Sequence, residues 1–118
     1  MSCLFNSLSY FIHEPSYNIR QKICDYLAEN KQIIDGLETN FILNLENSNY
    51  VENMRSMSTW GGAIEIQCAC NIWRTKIIVK DIRYSSSCKN IEFVPLNNVF
   101  DKEIYLEWSG GHYEPVRC

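Results

Sequence analysis

Basic clusters are missing from this chain. Its 118 residues hold 11 Lys and Arg against 14 Asp and Glu, a net charge of −3, and no run of Lys or Arg exceeds a pair. Nucleic acid is therefore a poor partner on charge grounds. Long apolar runs are missing too, and no stretch approaches the ~18 residues of a membrane span. Residues 1–12 lack the basic start of an export signal. Histidine is scarce, with two in the chain, and neither Cys-x-x-Cys nor His-x-x-x-His spacing occurs. A zinc site has no pattern to rest on. Glycine and proline are few, five and three, so neither a fibrous repeat nor a low-complexity linker is present.

What is present describes one domain with a packed core: 46% apolar and 13% aromatic residues in a chain of common domain length. The six cysteines are enough for three disulfides. Without an export signal they are expected to be reduced thiols of an intracellular protein, cytoplasmic or nuclear. Cys68 and Cys70 lie two apart on an expected helix and so point roughly 200° apart around its axis, which is poor metal geometry. Cys24, Cys68 and Cys70 read as core or near-core thiols, and Cys88 and Cys118 as exposed ones. His13 reads as a surface loop residue.

The hydrophobic spacing of Leu4, Phe5, Leu8, Phe11 and Ile12 predicts a first helix opened by Cys3. His13-Glu14-Pro15 ends it. Ser16 is the expected cap of a second helix with Ile19, Ile23, Tyr26 and Leu27 on its core face, and Asn30 its stop. Residues 33–45 read as short helical pieces with a turn at Asp35-Gly36. Tyr50, Met54 and Met57 mark another short helix. After the Trp60-Gly61-Gly62 break, a helix is expected over Ala63–Trp73. Then the period changes. Strands are expected at 76–80, 91–95, 104–108 and 112–116, with a polar connection over 83–90 and a Ser109-Gly110-Gly111 turn. Helices first and strands last point to an α+β fold.

Two residues carry candidate chemistry. A thiol that opens a helix sits where unpaired amides and the helix dipole favour negative charge, and an imidazole nearby adds to this. Cys3 early and His112 late is also the chain order of papain-like thiol hydrolases.

Three ordered blocks extend this reading. The first is Ser2-Cys3-Leu4-Phe5-Asn6-Ser7-Leu8. The second joins Tyr50-Val51-Glu52-Asn53-Met54 to Trp60-Gly61-Gly62-Ala63-Ile64-Glu65-Ile66. The third is the strand 104–108 followed by His112-Tyr113-Glu114-Pro115-Val116. In these blocks the chain resembles the ovarian-tumour (OTU) family of cysteine proteases, which are deubiquitinating enzymes.

The resemblance implies a papain-like α+β fold of the OTU type, with helices packed on a small, mostly antiparallel sheet. It implies a thiol hydrolase that cleaves isopeptide bonds to ubiquitin or a ubiquitin-like modifier. Cys3 would be the nucleophile, His112 the general base and acid, and Glu114 the residue orienting the imidazole, where the family often has Asn or Asp. Backbone amides of Ser2 and Cys3 would bind the oxyanion. Trp60 and Tyr113 are substrate-contact candidates, Trp60 being expected chiefly to fill core space at a helix entry and Tyr113 to form core or groove wall. No metal or cofactor is required, and a monomer is expected. The family places an Asp three residues ahead of its nucleophile, so the chain is expected to be cut just before the catalytic block. The alternative is a ubiquitin-binding module that keeps the OTU fold with a weak or inactive site.

Overall fold

The computed structural model describes residues 3–34, 36–46, 48–57, 59–83 and 89–116. Among these residues, five helices precede or flank one sheet: α1 (Cys3–Ile12), α2 (Ser16–Ala28), α3 (Thr39–Glu46), α4 (Tyr50–Arg55), α5 (Ala63–Trp73), β1 (Thr75–Asp81), β2 (Lys89–Phe93), β3 (Lys102–Trp108) and β4 (Tyr113–Pro115). The expected turn at Asp35-Gly36 lies partly outside the described residues; Gly36 itself has φ 86°.

Helix α1 buries Leu4, Phe5 and Leu8, the stripe that its apolar spacing demands. It ends where His13 takes the left-handed conformation, φ 66°, with its amide bonded to Ser9 O at 2.9 Å. Pro15, not Ser16, occupies the cap position of α2, and no side chain caps that end. Ser16 is the first helical residue instead, because the extended backbone of Pro15, φ −57° and ψ 143°, already provides the entry. Ile19, Ile23 and Leu27 form the expected core face, with Tyr26 half-buried beside it. Asn30 stops the helix at φ 56°. Met57 lies past the end of α4 and is exposed, so Met54, with the partly buried Tyr50 and Val51, carries that helix's inward side.

The sheet has the order β2-β1-β3-β4. β1 pairs antiparallel with β2 and parallel with β3, and β3 pairs antiparallel with β4. Two of the three pairings are thus antiparallel. Pro95 stands outside β2, consistent with its missing amide. Ile77, Val79, Ile104 and Leu106 point from β1 and β3 into a core shared with α1, α2 and α5. Helix α1, from the start of the chain, packs against β4, from its end. That contact places the candidate site.

Candidate functional site

The turn before β4 sets the position of His112. Gly110 has φ 105°, a conformation that side chains resist, and the Ser109 amide closes the turn on His112 O at 3.1 Å. His112 and Glu114, two residues apart along an extended segment, share a side. A ring nitrogen of His112, Nε2, lies 3.2 Å from Glu114 Oε1. Both side chains are more than half exposed, 55% and 66%. Tyr113 faces the other way, half-buried and stacked on Trp108 with ring centroids 6.3 Å apart. Burial raises the Tyr113 pKa, and neighbouring Cys3 and Glu65 add to this.

Cys3, partly buried at the head of α1, meets this strand. An open cleft of about 340 Å³ is lined by Cys3, Asn6, Tyr10, His112, Tyr113 and Glu114, among others. The structure therefore gathers Cys3, His112, Glu114 and Tyr113 from opposite ends of the chain. Ser2 lies outside the described residues, as do Cys88 and Cys118. Cys3 itself opens α1, whose first-turn amides have no acceptors within the helix.

Trp60 departs from expectation. It is 50% exposed and does not fill the core. The close packing belongs to Gly61, where an added Cβ would stand 2.7 Å from Leu4 Cδ2 and 3.0 Å from the Phe5 ring. Freed from the core, the Trp60 ring lies beside Gly111, 3.6 Å from where a Cβ would be. It also lines a second cleft of about 400 Å³ together with Ile66, Ile91, Trp108, Gly110 and Tyr113. Tyr113 is common to both clefts.

The other described thiols are unsuited to nucleophilic work. Cys24, Cys68 and Cys70 are fully buried, and all four described cysteines are free. Burial pushes the Cys24 thiol up to about 11 and Cys70 to about 12, and raises Cys68 as well. Among the described residues, no three His, Cys, Asp or Glu side chains are grouped to hold a metal ion. Likewise, no helix among them is long and apolar enough to cross a membrane.

Several supporting residues escaped the sequence reading. Arg83 grips Asp81 through two parallel bonds, Nη2–Oδ2 at 2.8 Å and Nε–Oδ1 at 3.0 Å. Hydrogen bonding from Arg83 lowers the Asp81 pKa. The same guanidinium lies 4.4 Å over the Trp108 ring, and its stem borders Gly110. The pair so backs the turn that carries His112. Arg20 and Glu65 are buried, and the half-buried Tyr50 donates its hydroxyl to Glu65 at 2.6 Å. For Glu65 a signal existed: a Glu three residues after a helix cap returns its carboxylate to the cap amide, as Glu65 does to Gly62 at 2.7 Å. Arg20, flanked by Ile19 and Ile23 on one face, had none.

Comparison with known proteins places this geometry. The family description "OTU-like cysteine protease" matches residues 2–114. Ubiquitin thioesterase OTU1 of Xenopus laevis is 25% identical over 98% of this chain and 38% of its own length. The Rattus norvegicus protein of that name is 28% identical over 98% and 33%. The chain thus spans about a third of the length of these curated relatives. A solved ovarian tumor (OTU) domain in complex with ubiquitin is 26% identical and superposes with a TM-score of 0.72, over 97% of this chain and 62% of that one. With the helical layer on a small mixed sheet and a family match across nearly the whole sequence, the chain belongs to the OTU-like cysteine protease family.

Proposed function

We propose that this chain is a thiol hydrolase that releases ubiquitin, or a ubiquitin-like modifier, from an isopeptide bond. The observation that carries the reading is the meeting of Cys3 and His112 in one cleft. Cys3 Sγ attacks the carbonyl carbon of the modifier's last residue while His112 takes the thiol proton. The tetrahedral adduct collapses, the C–N bond breaks, and His112 returns the proton to the departing lysine amine. Water, deprotonated by His112, then attacks the thioester carbonyl; the C–S bond breaks, the modifier leaves with a free carboxyl group, and Cys3 Sγ takes the proton back from His112. Glu114 at Nε2 leaves Nδ1 as the nitrogen available to the thiol. It also holds the imidazole ring in one orientation through each step. Backbone amides of Ser2 and Cys3 receive the oxyanion.

The walls suit such a substrate. A ubiquitin tail ends in two glycines, which require a narrow groove, and Trp60 and Tyr113 supply flat aromatic sides beside Gly111. The relatives' names and the ubiquitin-bound structural neighbour support ubiquitin as the modifier. The free thiols support an intracellular setting. The reading includes a single monomeric domain, with neither nucleic acid nor membrane as a partner.

The test is turnover of ubiquitin carrying a fluorogenic amide on its terminal glycine. The proposal predicts continuous, multiple-turnover release, and a folded chain that releases nothing contradicts it. In the same assay Glu114→Gln should lower kcat and spare KM. Because the pair is more than half exposed, its loss should cost only about two- to five-fold. An unchanged kcat would remove Glu114 from the mechanism.

A further inference from the structure

Behind the groove lies a buried acid that this chemistry does not use. Glu65, near the start of α5, is 1% exposed. Its Oε2 accepts the Tyr50 hydroxyl at 2.6 Å, and its Oε1 accepts the Gly62 amide at 2.7 Å. Burial raises its pKa, while hydrogen bonds from Tyr50, Gly62 and its own amide, and the charge of Arg20, act the other way. Arg20 is itself fully buried on α2. It donates Nη1 to Met54 O at 2.7 Å and lies 4.2 Å over the Phe5 ring. A carboxylate is costly to bury unless donors hold it, and here the donors come from different elements, α4 and segment 60–62.

That segment touches both halves of the candidate site. Gly61 is pressed onto Leu4 and Phe5, the two residues after Cys3, and Trp60 covers Gly111, the residue before His112. Trp60, Gly61 and Gly62 also line both the cleft toward Tyr113 and a hollow of about 430 Å³ bordered by Tyr50 and Glu65. We propose that Tyr50 and Glu65 are positioning residues: they latch segment 60–62 in place, so that the modifier's tail meets a preformed slot between the Cys3 helix and the His112 turn. The kinetic half of this inference rests on the hydrolase reading above. The structural half does not.

The variants Glu65→Leu, Glu65→Gln and Tyr50→Phe test it. Three readouts are followed: hydrogen exchange of the Gly62 amide by NMR, KM and kcat on the ubiquitin amide, and alkylation of Cys3 by iodoacetamide, which needs no groove. Glu65→Leu removes the acceptor of a buried amide, so KM should rise about ten-fold with kcat changed much less, and Gly62 exchange should speed by at least about ten-fold. Glu65→Gln keeps an acceptor for Gly62 and should recover most of the loss on both readouts. Tyr50→Phe should fall between the two. Cys3 alkylation should vary by less than about three-fold throughout, since α1 packs mainly on the core. Slow Gly62 exchange retained in Glu65→Leu overturns the latch, as does an equal rise of KM in the Gln and Leu variants. Should Glu65→Leu fail to fold, Tyr50→Phe decides: a wild-type KM and wild-type Gly62 exchange overturn the proposal. Absence of turnover by the wild-type chain counts against the hydrolase reading, while the Gly62 comparison still decides the latch.

Discussion

Cys3→Ala should reduce turnover of a ubiquitin amide by at least about 10³-fold, since a nucleophile's removal leaves only binding and oxyanion stabilisation. The fold should survive. Cys3 is only partly buried and opens α1, and alanine is the best helix former. The thermal midpoint should therefore stay within a few degrees of wild type. The control is Cys24→Ala. Cys24 is 0% exposed with its thiol pushed up to about 11. Its loss leaves a small core void, so that variant should lose about 1 kcal/mol of stability and keep its kcat. The reverse pattern, an active Cys3→Ala and a folded but inactive Cys24→Ala, would assign the chemistry to a different thiol.

The second large effect falls on a residue with no chemistry. Gly61→Ala places a Cβ 2.7 Å from Leu4 Cδ2 and 3.0 Å from two atoms of the Phe5 ring. Leu4 and Phe5 are 1% and 0% exposed and have no space to retreat into. Either α1 shifts or segment 60–62 lifts away. Overpacking of this kind costs roughly 1–3 kcal/mol. A shift of α1 also carries Cys3 away from His112, and a misplacement near 1 Å is worth about 10²-fold in rate. The expected result is a loss of both urea stability and kcat/KM. Gly62→Ala supplies the comparison, because its nearest contact is Glu65 Oε1 at 3.9 Å. It should cost less than about 1 kcal/mol, close to an unstrained glycine replacement. Equal effects at 61 and 62 would contradict the packing argument.

The two glycines also show what a sequence conveys. Trp60-Gly61-Gly62 was legible as a break before a helix, and Ala63–Trp73 formed over the expected span. The role of Trp60 was not legible. Hydrophobicity alone sends a tryptophan to the core, yet the close approach of Gly61 to α1 leaves Trp60 at the groove, half-exposed. Ser16 failed as a cap for a related reason: a cap residue must itself have non-helical backbone angles, and Pro15 holds them while Ser16 is already helical. The β-branched run of β1 announced a strand, but its parallel pairing with β3 joins distant segments and has no local mark.

The site divides in the same way. Periodicity and charge gave the helix that opens at Cys3 and the strand that follows His112. They could not bring the two together, since the packing of α1 on β4 spans nearly the whole chain. The three ordered motif blocks supplied that pairing. Residues behind the site were harder still. Arg83 stood in the polar connection 83–90 and Asp81 carried no reading of its own, and only the folded sheet puts Arg83 over Trp108 and beside Gly110.

Covalent capture tests the central claim most directly. Ubiquitin whose terminal carboxyl is replaced by a thiol-reactive electrophile is mixed with the chain, and the adduct is mapped by mass spectrometry. A Cys3–His112 thiol hydrolase predicts one ubiquitin per chain, attached at Cys3, absent in Cys3→Ala and formed much more slowly in His112→Ala. Folded protein that forms no adduct, or one attached at Cys24, Cys68 or Cys70, would contradict it.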